Sequence, residues 1–404
     1  MSDRIAVTGL GLVTPGGIGT GPTWKALCDA TPAARTDPAL CDGPVTMSCR
    51  VPPPEAGPGR LWRFDPATRF LFTAAREALD TADLKPAAWD PARVAVVVGT
   101  AAGGIGTLET QHRKLLTTGH GVLSPMTLPA FLPNMAAGHL AVELGITGPS
   151  LQTSTACASG ATAAATACLL LAVGACDIAV AAGTDAMVTP LCASAFAKLG
   201  ALSRRDHAPE GASRPFDKDR DGFVLAEGCG VLVLERERHA QARGIRPLAL
   251  IIGHASTSDA HHPTAPHPQG AGLRAATTTA LAGEGASPDD VDHINAHGTS
   301  TPLNDAVEAA VIRDLYRRRP PSVTSAKGVL GHTMGAAGAI EAAITVLTIA
   351  HGTVPPTANF TAPDDTTAGL DIVTGTPRRQ SVRLALTHSL GFGGHNTVLA
   401  ITAP

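Results

Sequence analysis

The sequence predicts an α/β protein. Short runs rich in Val, Ile and Leu alternate along the chain with longer Ala-rich stretches of helical character, and 44% hydrophobic residues stand beside 16% charged, 43 glycines and few aromatics. That composition suits helices lying close on sheets through small side chains, not disorder. The predicted strands cover 5–8, 94–98, 178–182, 231–234, 248–252, 293–295, 384–387 and 397–401. Helices are expected between them at 66–82, 136–144, 159–174, 270–282, 302–318 and 338–351; the first has a start signal, because Asp65 can cap it and Pro66 suits its first position.

A chain of 404 residues holds either a few ordinary domain cores or one large core made of two similar halves. A loose two-fold echo favours the second: an apolar run near Ile5 and another near Leu248 each open a series leading to a reactive-looking turn, at Cys157 and at His297. Segments 31–60, rich in Pro, Ala and Gly, and 203–222, crowded with charges of both signs, read as surface excursions. The uncharged stretch 146–176 is dominated by Ala, Gly, Ser and Thr, which gain little in lipid, so a buried helix is expected and no membrane association.

A formal charge of −3 gives no global attraction to nucleic acid or to an anionic membrane. Eight cysteines without a CxxC pair indicate neither a disulfide scaffold nor a zinc site. The start lacks a basic region followed by an apolar run, so the cytoplasm is the expected location. The run Val7-Thr-Gly-Leu-Gly11 lacks the rest of a dinucleotide fingerprint.

Three segments carry chemistry. In Ser154-Thr-Ala-Cys157-Ala-Ser-Gly160, before an Ala-rich run, the cysteine is expected where a turn feeds a helix N-terminus, whose N–H groups and dipole would lower the thiol pKa. Its small neighbours, Ala156, Ala158 and Gly160, leave room for a bulky group to approach the sulfur. The segments His293-Ile-Asn-Ala-His297-Gly-Thr-Ser-Thr-Pro302 and Lys327-Gly-Val-Leu-Gly-His332-Thr-Met-Gly each place a histidine beside a glycine, where a substrate can reach the imidazole. One cysteine or one such histidine is commonplace; the three together form a constellation. Cys168, Cys176, Cys192 and Cys229 lie in apolar runs and are assigned to the core.

At these motifs the sequence resembles the β-ketoacyl-acyl carrier protein synthases of the thiolase superfamily, particularly the elongating synthases of fatty acid and type II polyketide systems. Arg214-Pro-Phe-Asp-Lys-Asp-Arg-Asp-Gly-Phe-Val-Leu-Ala-Glu-Gly228, the run from Lys327 to Glu341 and Leu390-Gly-Phe392-Gly-Gly-His-Asn396 extend the likeness over the whole chain. The resemblance implies a thiolase-like fold of five layers, αβαβα, from two pseudo-duplicated halves: 1–245 with the nucleophilic cysteine and 246–404 with the two histidines. It implies decarboxylative condensation of an acyl-Cys157 thioester with a malonyl-carrier thioester, with no cofactor and no metal. A dimer is implied, either a homodimer or a heterodimer with a chain-length factor; initiating synthases carry Cys-His-Asn, so Cys-His-His points to elongation, and an intact Cys157 to the active subunit.

Residue roles follow from the same likeness. Cys157 and Phe392 supply the oxyanion-hole N–H groups, His297 and His332 act as neutral donors to the enolate, and Lys327 tunes the pair together with Glu341. Asp305 and Glu308 match acidic positions that support a water or ion network, against which stands an ordinary solvated helix start. Phe392 between Gly391 and Gly393 gates the site, with Asp259 as hinge partner in a second loop. Leu108, Met126, Thr127 and Phe196 line the acyl tunnel, and a Thr at 127 in place of a bulkier residue predicts acceptance of medium or long chains, including unsaturated ones. Arg60, Arg63, Arg69, Arg204 and Arg205 are candidates for docking an acidic acyl carrier protein. Leu390 stands where many members have Phe, and His395 where Thr is frequent. The alternatives are a thiolase-fold acyltransferase that does not decarboxylate and a noncatalytic carrier-binding scaffold that sets chain length.

Overall fold

The computed structural model describes residues 4–53, 61, 63–283 and 285–404. Its first half runs through β1 (Ile5–Thr14), α1 (Pro66–Thr81), β2 (Val94–Gly99), α2 (Met135–Leu144), β3 (Ser150–Thr153), α3 (Ser159–Ala172), β4 (Ile178–Ala186) and β5 (Glu227–Arg236). The second half runs through β6 (Ala249–Ser258), α4 (Ala271–Ala282), β7 (His293–Asn295), α5 (Pro302–Leu315), β8 (Ser322–Thr324), α6 (Ala337–His351), β9 (Leu384–Gly391) and β10 (His395–Thr402). Each is βαβαβαββ. The strand order of the first is β1-β5-β4-β2-β3 and of the second β6-β10-β9-β7-β8, with matching directions: the first two contacts antiparallel, the last two parallel. This is a duplication at the level of topology, and the expected division at 245/246 falls in the connection between β5 and β6.

The half-sheets meet through the antiparallel pairing of 5–7 with 249–251. Alternation along the buried strands sends side chains into different cores. Val94, Val96 and Val98 face α1 and α2, while Ala95 and Val97 face α3 and α6. Leu384 and Leu386 face α5, while Ala385 turns to the central layer. The layers are therefore α1/α2, first half-sheet, α3/α6, second half-sheet and α4/α5. The central helices approach so closely that a Cβ at Gly160 would lie 2.7 Å from the Ala339 nitrogen, and one at Gly338 2.6 Å from that of Ala161. The small-residue composition has its physical reason here.

The capped start of α1 is as expected: the Asp65 side chain accepts from Ala67 N–H, with Pro66 in the first turn. The strands β1, β4, β5, β6 and β9 run further than predicted, because Gly, Ser, Thr and Cys continue them once both faces are covered. The short, polar β3 and β8 were not predicted, nor were the helices Ile105–Thr118 and Pro190–Leu199. The run Met334–His351 is apolar and long enough to cross a membrane, yet 83% of it is buried within the protein as the core of the central layer.

Two expectations are corrected. The region 31–60 is not wholly a surface excursion: Ala34, Leu40, Val45, Met47 and Cys49 are buried in one cluster with Cys157. Nor is 203–222 a free loop. Its charges pair internally and with the second half, leaving Phe216, Asp217 and Arg220 buried.

Candidate active site

Cys157 lies in a single 3-10 turn, Ala156–Ala158, between β3 and α3, and His332 lies between β8 and α6. These are equivalent connections of the two halves, so the echo pairs Cys157 with His332 and not, as expected from sequence, with His297. His297 follows β7, and Phe392 occupies the turn between β9 and β10. Cys157, His297, His332 and Phe392 line one cavity of about 340 Å³, together with Phe196 and Phe223.

Three of these turns contain a non-glycine residue in the left-handed region: Ala156 (φ 50°) before Cys157, Ser300 (φ 68°) after His297 and Met334 (φ 54°) after His332. Such conformations persist only where surrounding bonds impose them. Ser159 Oγ donates to the Ala156 carbonyl at 2.6 Å and accepts from Thr155 N–H at 2.9 Å, closing the nucleophile turn. Gly391 is required beside it, since a Cβ there would lie 2.3 Å from the Thr155 carbonyl oxygen. That approach packs Gly391 on the Cys157 turn, and the N–H of the following residue, Phe392, acts on the thiol to lower its pKa.

The thiol pKa does not fall as expected from the helix start. Burial pushes it up to about 12, opposed by the charge of Lys327 and the Phe392 N–H and reinforced by Asp185 and Glu341. Desolvation of a nearly inaccessible sulfur outweighs the donors around it. Cys168, Cys176, Cys192 and Cys229 are buried, as assigned.

The imidazoles meet edge to face, with centroids 5.5 Å apart and ring planes at 84°. Burial and the Lys327 charge hold both well below the usual histidine range, so both are neutral. Lys327 is 2% exposed; its ammonium donates to the His297 carbonyl at 2.7 Å, is paired with Glu341 Oε1 and lies 3.4 Å from His297 Nδ1. An ammonium has only protons to offer, so Nδ1 of His297 is the acceptor and its proton sits on Nε2. His332 is held by edge contacts with Phe223 and His297. Burial raises Glu341 to about 7, with Lys327 pulling in the other direction.

Asp305 and Glu308 are fully buried, which excludes the solvated helix start. Glu308 accepts the N–H groups of His297 and Gly298, both at 2.8 Å, and contacts His388 Nδ1 at 3.0 Å. Asp305 accepts from Phe216 and Ser300 N–H, fixing the strained serine. Both carboxylates thus shape the His297 turn. Among the described residues no cluster of three or more His, Cys, Asp or Glu is arranged to hold a metal ion.

Asp259 lines the cavity; its carboxylate accepts from Asn396 Nδ2 at 2.9 Å and from His267 N–H at 3.0 Å, and its own N–H donates to the Gly394 carbonyl. The 259–267 loop is thereby laced to the Gly391–Gly394 turn, where Gly393 is exposed with φ 88°. Phe196 stands between Phe392 and Phe223, 6.4 and 5.5 Å away. Leu108 and Met126 lie more than a third exposed on the Ile105–Thr118 helix and just before Thr127–Phe131, and with Thr127 they are outside the cavity formed by this chain. Arg204 and Arg205 follow Ala201 of the cavity wall; Arg205 is engaged by Asp221 and the Asp219 carbonyl. Arg63 stacks over Phe64, Arg69 lies half-buried on α1, and Arg60 is outside the described residues.

Sequence reasoning missed Asp185, His388 and Phe223. Buried Asp185 accepts from Thr100 Oγ1 and from the N–H groups of Ala101 and Gly335, tying the two halves together beneath Cys157. Nothing local marked it.

The doubled scaffold, with sulfur and imidazole at its two equivalent turns, is that of a thiolase-fold acyltransferase. Sequence models of the beta-ketoacyl synthase N-terminal and C-terminal domains match residues 2–240 and 248–361. The chain belongs to the beta-ketoacyl synthase family. It is 40% identical to the 3-oxoacyl-[acyl-carrier-protein] synthase 2 of Synechocystis over 98% of this chain and 97% of that protein, and 37% identical to the mitochondrial 3-oxoacyl-[acyl-carrier-protein] synthase of Arabidopsis thaliana over 98% and 92%. Among solved structures it is similar to the ishigamide ketosynthase/chain length factor (TM-score 0.93, 32% identity, all of both chains). It also resembles a type II polyketide ketosynthase in complex with its acyl-carrier protein (TM-score 0.91, 30% identity, all of both chains).

Proposed function

We propose that this enzyme elongates a carrier-bound acyl chain by two carbons through decarboxylative condensation. The observation that carries the reading is one cavity lined by Cys157 and two imidazoles, His297 and His332, with Lys327 beside Nδ1 of His297 so that its Nε2 carries the proton.

In the first half-reaction Cys157 attacks an acyl thioester. The S–C bond forms as the carrier's C–S bond breaks, and the thiol proton ends on the departing carrier thiol. The N–H groups of Cys157 and Phe392 are the donors for the oxyanion, each such donor contributing about 3 kcal/mol. In the second, malonyl-carrier loses carbon dioxide. The electron pair left behind becomes an enolate whose oxygen receives hydrogen bonds from His297 and His332, and its carbon attacks the acyl carbonyl. The C–S bond to Cys157 then breaks and the sulfur takes up a proton from solvent, the one proton the condensation consumes. No cofactor or metal takes part in this scheme.

Acyl carrier protein is the proposed partner, with Arg63, Arg69, Arg204 and Arg205 as candidate contacts. A dimer is proposed through β3, an edge strand flanked by α2 and α3, from which Val142, Leu151 and Leu169 project with 83%, 41% and 55% exposure. On that edge Leu108, Met126 and Thr127 would complete a tunnel for medium or long chains. A cytoplasmic location fits eight free cysteines.

The test loads Cys157 from acyl-carrier, adds malonyl-carrier and follows carbon dioxide and product mass. Stoichiometric carbon dioxide and a β-keto product two carbons longer are expected. Acylation without carbon dioxide would instead establish a transferase that does not decarboxylate, and an unreactive Cys157 a scaffold.

A further inference from the structure

The strand β9 reads Leu384-Ala-Leu-Thr-His-Ser-Leu-Gly391, and its alternation places 384, 386, 388 and 390 on the face toward α5. Leu384, Leu386 and Leu390 belong to the apolar core there. His388 interrupts that row and is fully buried. A buried imidazole in an apolar row is costly unless its polar atoms serve a purpose.

Its Nδ1 meets Glu308 Oε1 at 3.0 Å. The same carboxylate receives the N–H groups of His297 and Gly298. An ionised carboxylate only accepts, so Nδ1 of His388 carries the proton and donates. Its Nε2 has no hydrogen-bond partner among the described residues.

Strand β9 is held independently of this contact, by parallel pairing with β7 (Asn295 opposite Thr387) and antiparallel pairing with β10 along its whole length. Three residues beyond His388 it reaches Gly391, packed against the Thr155–Cys157 turn, and the next residue, Phe392, lines the cavity beside Cys157. One rigid strand therefore touches both half-reactions: its end serves the sulfur directly, and its middle reaches His297 through His388 and Glu308.

We propose that His388 is a positioning residue for condensation: by donating to Glu308 it fixes the carboxylate that holds the His297 turn, and so sets where the enolate-facing imidazole stands. The proposal rests on the condensation reading above. It separates the two half-reactions, because acylation uses the strand's end, which the sheet fixes, whereas condensation uses the turn, which hangs from Glu308.

The two amide variants discriminate. In His388→Asn the amide nitrogen takes the place of Nδ1 and still reaches Glu308; in His388→Gln it sits one bond further out, near the position of Nε2. Carbon dioxide release from malonyl-carrier and single-turnover acylation of Cys157 are measured for both beside the wild type, whose own turnover shows whether condensation occurs at all. In His388→Gln, kcat for condensation falls roughly tenfold or more while acylation changes by less than about twofold, since a small misplacement of a catalytic group costs this much. His388→Asn stays within about threefold of wild type in both steps. The proposal is overturned if both steps fall together in His388→Gln, or if His388→Asn is as impaired in condensation as His388→Gln.

Discussion

Replacing Lys327 by Met removes an ammonium that serves three groups at once: the His297 carbonyl, His297 Nδ1 and Glu341. Lys327 and Glu341 are each 2% exposed, so the variant strands a carboxylate in the core, and breaking a buried pair in this way costs about 3–5 kcal/mol. Glu341 is already raised to about 7 by burial, so it escapes part of that cost by taking up a proton, which puts the expected loss near the lower bound, about 3 kcal/mol. The catalytic loss has a separate origin. Without a donor at Nδ1 the His297 proton is free to move there, Nε2 becomes an acceptor and the enolate loses one hydrogen bond, worth roughly a hundredfold in kcat. Urea unfolding of K327M and of the double variant K327M/E341Q, with carbon dioxide release from malonyl-carrier, checks both parts. The double variant should recover stability relative to K327M without recovering activity. If K327M retains kcat within about threefold, or if E341Q adds no stability to it, the pair does not work as described.

With the Cys157 thiol pushed up to about 12 by burial, iodoacetamide alkylation mapped at this residue should accelerate about tenfold per pH unit between pH 7 and 9; a plateau in that window would mean a thiolate already formed. The buried His293 is lowered to about 4, below its unfolded value near 6.5. Its contribution is therefore present above pH 6.5 and lost as the pH falls toward 4, about 3 kcal/mol, with His297 and His332 acting in the same direction. Unfolding free energies of wild type and His293→Gln should accordingly converge by about that amount between pH 7 and pH 4, and parallel pH curves would count against the assignment.

The legible parts of this fold were those written in local pattern. All six helices of the doubled scaffold, from 66–82 to 338–351, were read within a few residues, because alanine-rich runs bounded by Asp, Pro and Gly signal themselves. Strand ends were not, since residues such as Gly253 or Ser258 extend β6 only because β10 lies beside them. The strands β3 and β8 were missed outright; both are short, and Ser150–Thr153 is as polar as a loop. The segment 203–222 looked solvated because its charges are visible in sequence while their partners are not: Arg220 meets Asp364 and Thr366, more than a hundred positions away.

At the site the same division holds. The residue types, the glycines beside the histidines and the order of the motifs were set by the sequence, and with them the expectation that Cys157, His297, His332 and Lys327 belong to one site. Tertiary structure alone decided that His332 is the counterpart of Cys157, that burial raises the thiol pKa instead of lowering it, and that Glu308 and His388 hold the His297 turn. The reason is physical: dielectric surroundings and hydrogen-bond partners belong to the space between segments far apart in the chain, and no local spacing encodes them.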